Sequence, residues 1–200
     1  MITTTDTDYN LDRHLIAFLQ DTPFFAELSR HIRKSHSLDV PTAGVAYDPK
    51  YDDITLYWNS EFFAPLTDAQ VRGVLTHEFY HLIFRHLTER RKTPHKMWNV
   101  ATDLAINSII MDHSKNNKAI DLPEGGLVPG VFPKGPEGRE FTAEEKAAMP
   151  IAELIAELPL GQASEWYYDK LKEKVEEEQA KGNGDPLEGM DSMDDHGGWD

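Results

Sequence analysis

Two histidines and a glutamate near the middle of the chain have the types and spacing of a metal site. His77, Glu78 and His81 form an H-E-x-x-H motif. On an α-helix each residue turns the chain by ~100°, so the two histidines project from one face about one turn apart and can share one metal ion. Glu78 flanks the pair, where its carboxylate can act as general base towards an attacking water. The motif therefore predicts metal-assisted hydrolysis.

A capping box and an uninterrupted run of residues predict the helix that carries this motif. Thr67 is a candidate N-cap with Gln70 reaching back to it, and no proline follows until Pro94. We therefore expect a helix from about Asp68 to Glu89. On a helical wheel its apolar residues fall within an arc of roughly 120° to 240° from His77; they are Val71, Leu75, Phe79, Leu82 and Ile83. The apolar side should pack and the ligand side should face a cleft, and a solvated histidine pair is the alternative.

Asp103 is the candidate for a third ligand. Catalytic zinc sites usually combine three protein ligands with an open position for water. Pro94 predicts the start of a second helix, which runs to about Met111 and is apolar almost all round except for the column Asn99, Asp103 and Asn107. A buried carboxylate costs several kcal/mol unless it is paired or bound to a cation. We therefore expect Asp103 to bind the metal and the two asparagines to orient it, with a capping or salt-bridge role for Asp103 as the alternative.

The other histidines fit a ligand role less well. An H-E-x-x-H-x-x-G-x-x-H pattern would need glycine and histidine where this chain has Phe84 and Leu87. His86 misses that pattern by one residue and lies ~180° from His77 on the wheel, so we interpret it as a core histidine or one that supports a ligand. Three further candidates, for which we expect surface roles, are His95, Asp112 and His113.

Three segments of the sequence together resemble a known protein family. They are Leu75–His86, which contains the motif, Trp98–Asn107, which reads W-N-x-A-x-D-x-x-I-N, and Leu122–Gly126. They resemble the "putative metallopeptidase domain" family found ahead of von Willebrand A-like domains in bacterial and phage proteins, over roughly residues 10 to 170. One departure is Arg85, where members of the family tend to have glycine. Another is that no von Willebrand A-like domain follows in this sequence.

The resemblance implies a fold and a set of roles. The implied fold is α+β, a mainly helical zincin-like metallopeptidase domain with a small β-hairpin or sheet. The implied cofactor is Zn²⁺, with His77, His81 and Asp103 as metal ligands and Glu78 as the catalytic residue. The implied partners are a peptide or protein substrate and a von Willebrand A-like or ATPase protein.

The composition limits the class of protein. A formal net charge of -15 and a pI near 4.9 argue against nucleic acid as a partner, because phosphate contacts need basic patches. The chain has no cysteine, so histidine and carboxylate remain as the strong metal ligands. No apolar run approaches membrane-spanning length, and the N-terminus lacks the pattern of a signal peptide. We therefore expect a cytoplasmic protein with no membrane or nucleic-acid partner.

The rest of the chain predicts one domain over residues 1–181 and an acidic, glycine-rich tail or linker over residues 182–200. Within the domain we expect two short helices up to about Ser35 and a hairpin of Gly44–Tyr47 and Ile54–Trp58. The second helix should bury one face, formed by Phe24, Phe25, Leu28 and Ile32.

Three features near the predicted site have open interpretations. An exposed strand edge could pair with an extended peptide, or the sheet could simply cover the helices. The loop over residues 114–141 could form a wall of a substrate cleft, and two further helices follow it. His196 in the tail could dock at the open metal position, although we expect such a tail to be disordered.

These features together predict a zinc-dependent metallopeptidase with Glu78 as general base. The candidates for stabilising its charged intermediate are Tyr80, Arg85 and His113. The main alternative is a zinc-binding adaptor that cleaves nothing, and another is a zinc-assisted hydrolase acting on a non-peptide amide. Glu78 weighs against the adaptor, because a purely structural site has no use for a carboxylate beside its metal.

Overall fold

Helices dominate the fold, and three short strands form one sheet against them. The computed structural model describes residues 9–134, 139–147, 149–182 and 185–187. In chain order the elements are α1 (Asp12–Asp21), α2 (Pro23–Arg30), β1 (Arg33–His36), β2 (Ala43–Asp48), β3 (Asp53–Trp58), α3 (Ser60–Phe63), α4 (Asp68–Ile83), α5 (His95–Asn116), α6 (Ala143–Ala147), α7 (Pro150–Glu157) and α8 (Ser164–Ala180). The α+β class predicted from the sequence, mainly helical with a small sheet, is confirmed.

The sheet has the strand order β1-β3-β2. The antiparallel β2–β3 hairpin was expected, and it pairs Val45 with Leu56. The parallel strand β1 was not expected, because α2 was predicted to run to Ser35. Instead α2 ends at Arg30, and the last turn tightens through a bond from the Ile32 N–H to the Ser29 carbonyl. The polar segment that follows becomes a strand because the edge of β3 provides partners for its backbone hydrogen bonds. The side-chain pattern of this segment does not predict that pairing.

The buried face of α2 also differs from the expected one. Phe24 is 65% exposed, so its placement in the core was wrong. Phe25 does pack inward, against Phe18 and Phe79. Because α2 has fewer than three turns and buries Ala26 and Ser29, its contact face is turned away from Phe24.

Helix α4 begins as predicted and ends early. Thr67 and Gln70 form the reciprocal capping box. The helix stops at Ile83 and not at Glu89, because Arg85 takes a positive φ of 58° and reverses the chain direction. The His86 N–H then donates to the His81 carbonyl at 3.0 Å. This reversal folds the chain after the motif back towards the motif itself.

Helix α5 is buried over most of its length and separates two apolar clusters. One cluster joins α5 to α7 and α8 and includes Trp98, Leu104, Ile151 and Tyr167. The other joins α1, the sheet and α4, around Phe18, Leu56, Phe63, Leu75 and Phe79. Helix α5 extends to Asn116, about one turn beyond the predicted end. Helices α4 and α5 thus face each other between the two clusters.

The loop after α5 is irregular, as predicted, and packs on α4 at a glycine. The Asp121 N–H donates to the Ala69 carbonyl at 3.0 Å. A Cβ on Gly73 would lie 1.8 Å from the Asp121 carbonyl oxygen, so only glycine permits this approach. The loop is thereby held beside the start of the motif.

The predicted tail over residues 182–200 lies mostly outside the described residues, and His196 is among those outside. Leu187 is described and is buried in the cluster formed by α5, α7 and α8. The boundary at residue 181 stays a prediction. A search of the helices in the described ranges found none with the length and apolar character needed to cross a membrane.

Candidate metal centre

Helices α4 and α5 bring His77, His81 and Asp103 together. The two histidine Nε2 atoms lie 2.9 Å apart. The Asp103 Oδ1 atom lies 3.5 Å from His77 Nε2 and 3.3 Å from His81 Nε2. All three residues are buried. Within the described ranges they are the group whose ligand atoms are close enough together to share a metal ion.

Hydrogen bonds at Asn107 determine which nitrogen of His77 carries its proton. The Asn107 Nδ2 group donates to the Leu127 carbonyl at 2.8 Å, and this bond sets the orientation of the amide because a carbonyl can only accept. Asn107 Oδ1 therefore faces His77 Nδ1, at 2.8 Å, and His77 Nδ1 must donate. The Nε2 atom of the neutral ring then has a lone pair directed at the group.

A chain of contacts orients His81. Its Nδ1 atom lies 3.3 Å from His86 Nδ1, and His86 Nε2 lies 3.2 Å from the Ser164 hydroxyl at the start of α8. Burial, with smaller effects from His77 and His86, holds the pKa of His81 well below the usual histidine value. Burial and the Arg90 guanidinium lower the pKa of His86 to about 4. Both rings are therefore neutral near pH 7, the form in which histidine binds metals.

The separations of the three ligand atoms fit a tetrahedral metal. Bonds of 2.0–2.1 Å in that geometry place ligand atoms about 3.3 Å apart. The observed separations are 2.9, 3.3 and 3.5 Å. Asp103 Oδ1 is buried and accepts no hydrogen bond from the described part of the chain. A proton on His81 Nε2 could form a hydrogen bond with only one of its two neighbours, His77 Nε2 or Asp103 Oδ1. A cation between the three atoms would bind all of them.

Glu78 lies beside this group and is fixed by the sheet. Its side chain is buried, and its Oε2 atom accepts a hydrogen bond from the Val45 N–H of β2 at 2.9 Å. Within the part of the chain described, β2 has β3 on one side and is the edge of the sheet on the other. A carboxylate thus lies between the motif and a strand edge.

Comparison with protein families agrees with this geometry. A family model with the description "Putative metallopeptidase domain" matches residues 7–195. The chain belongs to this metallopeptidase-domain family. Comparisons with curated proteins and with solved structures gave no match.

The structure brings His77, His81 and Asp103 together, but the setting of this group differs from the expected one. The ligand side of α4 was expected to face a cleft, whereas Glu78 and His81 are each 0% exposed. Helix α5 and β2 cover that side. Asn107 was expected to orient the carboxylate and contacts His77 instead. His86 is fully buried and contacts His81, which fits both of its interpretations.

Other candidates lie away from the three ligand atoms. Asp112 and His113 are exposed, and His113 is ten residues, or ~15 Å of helix, beyond Asp103. Arg85 is exposed and pairs with Glu89. Tyr80 stacks on the Phe84 ring. His95 begins α5, two turns before Asp103. The backbone carbonyl of Asn99 accepts a hydrogen bond from the Thr102 hydroxyl.

Sequence reasoning missed Val45 and Ser164 as parts of the site. Val45 contributes through its backbone N–H, so its residue type carries no signal. Ser164 is the first residue of α8, and its hydroxyl lies at His86. The rule that a ligating histidine needs a partner for its second nitrogen leads from His81 to His86 and, one contact further, to Ser164.

Proposed function

We propose that this chain is a zinc-dependent metallopeptidase in which His77, His81 and Asp103 hold the metal. The observation that carries the proposal is that three buried ligand atoms converge beside Glu78. None of the three atoms belongs to Glu78, so the metal site does not need its carboxylate as a ligand. Two imidazoles and a carboxylate are ligands that suit Zn²⁺. Membership of the metallopeptidase-domain family supports the same reaction class.

Each group of the chain has a role in this proposal. A bound zinc ion would supply a Lewis acid that polarises a carbonyl and lowers the pKa of water towards ~7. Glu78 takes a proton from the attacking water on its carboxylate and delivers it to the amide nitrogen as the C–N bond breaks. The Val45 N–H holds the Glu78 carboxylate in position for both transfers. Asn107 and His86 hold the two imidazoles in the orientation that directs Nε2 inward.

The position of β2 supports a peptide as the substrate. Its Val45 N–H reaches Glu78, so the outer edge of this strand passes directly beside the proposed general base. An extended peptide can add to such an edge through main-chain hydrogen bonds. That mode of binding would bring a backbone amide to the proposed metal without requiring a particular side chain.

A peptide-library digest tests the proposal. The zinc-loaded protein should cleave peptides, and a chelator should abolish the cleavage. Glu78→Gln should keep the metal and lose at least about 100-fold in rate, as is typical when a general base is removed. The matched control is Glu89→Gln, which changes an exposed glutamate and should cleave like the wild type. Full activity of metal-loaded Glu78→Gln would contradict the mechanism, and no cleavage by the loaded wild type would favour the adaptor.

A further inference from the structure

An apolar pocket lies directly beside His77. It has a volume of about 30 Å³ and opens to solvent on one side. Its walls come from α3, α4, α5 and the loop that packs on Gly73; the lining residues are Phe62, Val74, His77, Asn107, Leu122, Pro123 and Gly126. A cavity of roughly 10–15 Å³ holds one water molecule, so this pocket has room for about two. It therefore suits one small side chain and not a longer segment of peptide.

The polar groups of the pocket are already engaged with each other and with the backbone. His77 Nδ1 donates to Asn107 Oδ1, and Asn107 Nδ2 donates to the Leu127 carbonyl. None of the lining residues that the structure describes is an aspartate, glutamate, lysine or arginine. A charged side chain bound here would lose its hydration without gaining a partner, which is costly. An aliphatic side chain would instead exchange water for contact with apolar walls.

We propose that this pocket binds a small aliphatic side chain, of about the size of valine, from the substrate residue next to the scissile bond. The inference rests on the proposed function, because it takes His77 to be a metal ligand. One extended residue spans only ~3.3–3.6 Å, so a side chain that touches His77 belongs to a residue adjacent to the bond held at the metal. The substrate class is therefore a peptide with an aliphatic residue at that position.

Gly126 keeps the pocket open. A Cβ at this position would meet the Pro123 carbonyl oxygen at 3.7 Å and Asn107 Nδ2 at 3.8 Å, which are ordinary contact distances. A small substituent therefore fits there without strain, and a larger one would extend into the space of the pocket. Phe62 forms another wall, so its removal would enlarge the pocket.

Binding of amino-acid hydroxamates to the zinc-loaded protein tests the pocket without requiring turnover. The probes are the hydroxamates of glycine, valine, leucine, aspartate and lysine, measured by isothermal titration calorimetry. The valine compound should bind about tenfold or more tightly than the glycine compound, because it buries three additional carbon atoms. The aspartate and lysine compounds should gain nothing over glycine.

Two variants locate the effect. Gly126→Val should remove the preference for valine over glycine while the glycine compound still binds. Phe62→Ala enlarges the pocket and should shift the preference from the valine compound towards the leucine compound. Phe24→Ala, the same change at an exposed phenylalanine on α2, should leave the preference as in the wild type.

The outcomes separate the two proposals. If the glycine compound binds and the aliphatic compounds bind no more tightly, the pocket proposal is wrong and the metal centre stands. A preference for valine that survives Gly126→Val would also overturn the pocket. If zinc-loaded protein binds none of the hydroxamates, the metal centre is wrong and the pocket proposal fails with it.

Discussion

The Nδ1 atoms of His81 and His86 lie 3.3 Å apart, so a third histidine orients the second histidine of the motif. His86 reaches this position because α4 ends at Ile83 and the chain reverses at Arg85. The other ring nitrogen of His86 faces Ser164, which extends the contact to the start of α8. The end of α4 and the start of α8 therefore belong to the site as much as the motif does.

Removing this contact should weaken metal binding. His86→Ala leaves His81 Nδ1 without its partner, and loss of such a supporting group typically costs 10- to 100-fold in metal affinity. We expect a competition titration of the metal-free protein with zinc and a chromophoric chelator to show a loss of that size. His86→Gln should recover part of it, because the glutamine carbonyl can accept from Nδ1.

His113→Ala is the control for this series, since His113 is an exposed histidine on α5. Its affinity should equal that of the wild type. Wild-type affinity in folded His86→Ala would show that His86 only fills space.

The low pKa of His86 predicts that the metal-free protein loses stability in acid. Burial lowers this pKa from the ordinary histidine value of 6.5 to about 4, so between these values the unfolded chain binds the proton and the folded chain does not. The contribution of His86 to the free energy of unfolding is therefore fully present above pH 6.5 and falls as the pH decreases towards 4. Between pH 7 and pH 5 the loss should be about 2 kcal/mol.

Urea unfolding of chelator-treated protein at pH 7 and pH 5 measures this loss. Because acid also lowers the net negative charge, the informative quantity is the difference between the wild type and His86→Gln. The wild type should lose about 2 kcal/mol more than His86→Gln between the two pH values. His31→Gln, at an exposed histidine, should behave as the wild type does. Equal losses in wild type and His86→Gln would contradict the predicted shift.

Gly73→Ala should destabilise the protein although alanine is the better helix former. In an open helix the change would stabilise by roughly 0.5–1 kcal/mol. Here the new Cβ would lie 1.8 Å from the Asp121 carbonyl oxygen, so the backbone of the loop must move. Such overpacking costs about 1–3 kcal/mol, and the clash should outweigh the helix propensity. Thermal unfolding measures it, and Gly126→Ala, which makes only ordinary contacts, is the control. A Gly73→Ala protein at least as stable as the wild type would contradict the packing at this glycine.

Local signals were sufficient to predict the start of α4, its motif and the second helix with Asp103. The capping box, the spacing of the motif and the carboxylate in an apolar helix can each be recognised from residues close together in the sequence. The β2–β3 hairpin followed in the same way from two β-rich runs around a turn.

The parts that were missed depend on tertiary contacts. The early end of α4 requires a positive φ at Arg85, a residue type that rarely adopts one. Strand β1 is set by the edge of β3. The Val45 contact uses only backbone, and the coverage of Glu78 follows from how α5 and β2 pack on α4. The spacing of side chains along a single helix or strand predicts none of these four features.

The metal content of the purified protein tests the central claim most directly. Metal-free wild type, reconstituted with zinc and dialysed, should carry about one zinc ion per chain, the stoichiometry of a three-ligand site. Asp103→Ala should carry far less while remaining folded by circular dichroism. Asp112→Ala, an exposed aspartate on the same helix, should match the wild type. Unchanged zinc in Asp103→Ala would remove Asp103 from the site and contradict a metal centre formed by His77, His81 and Asp103.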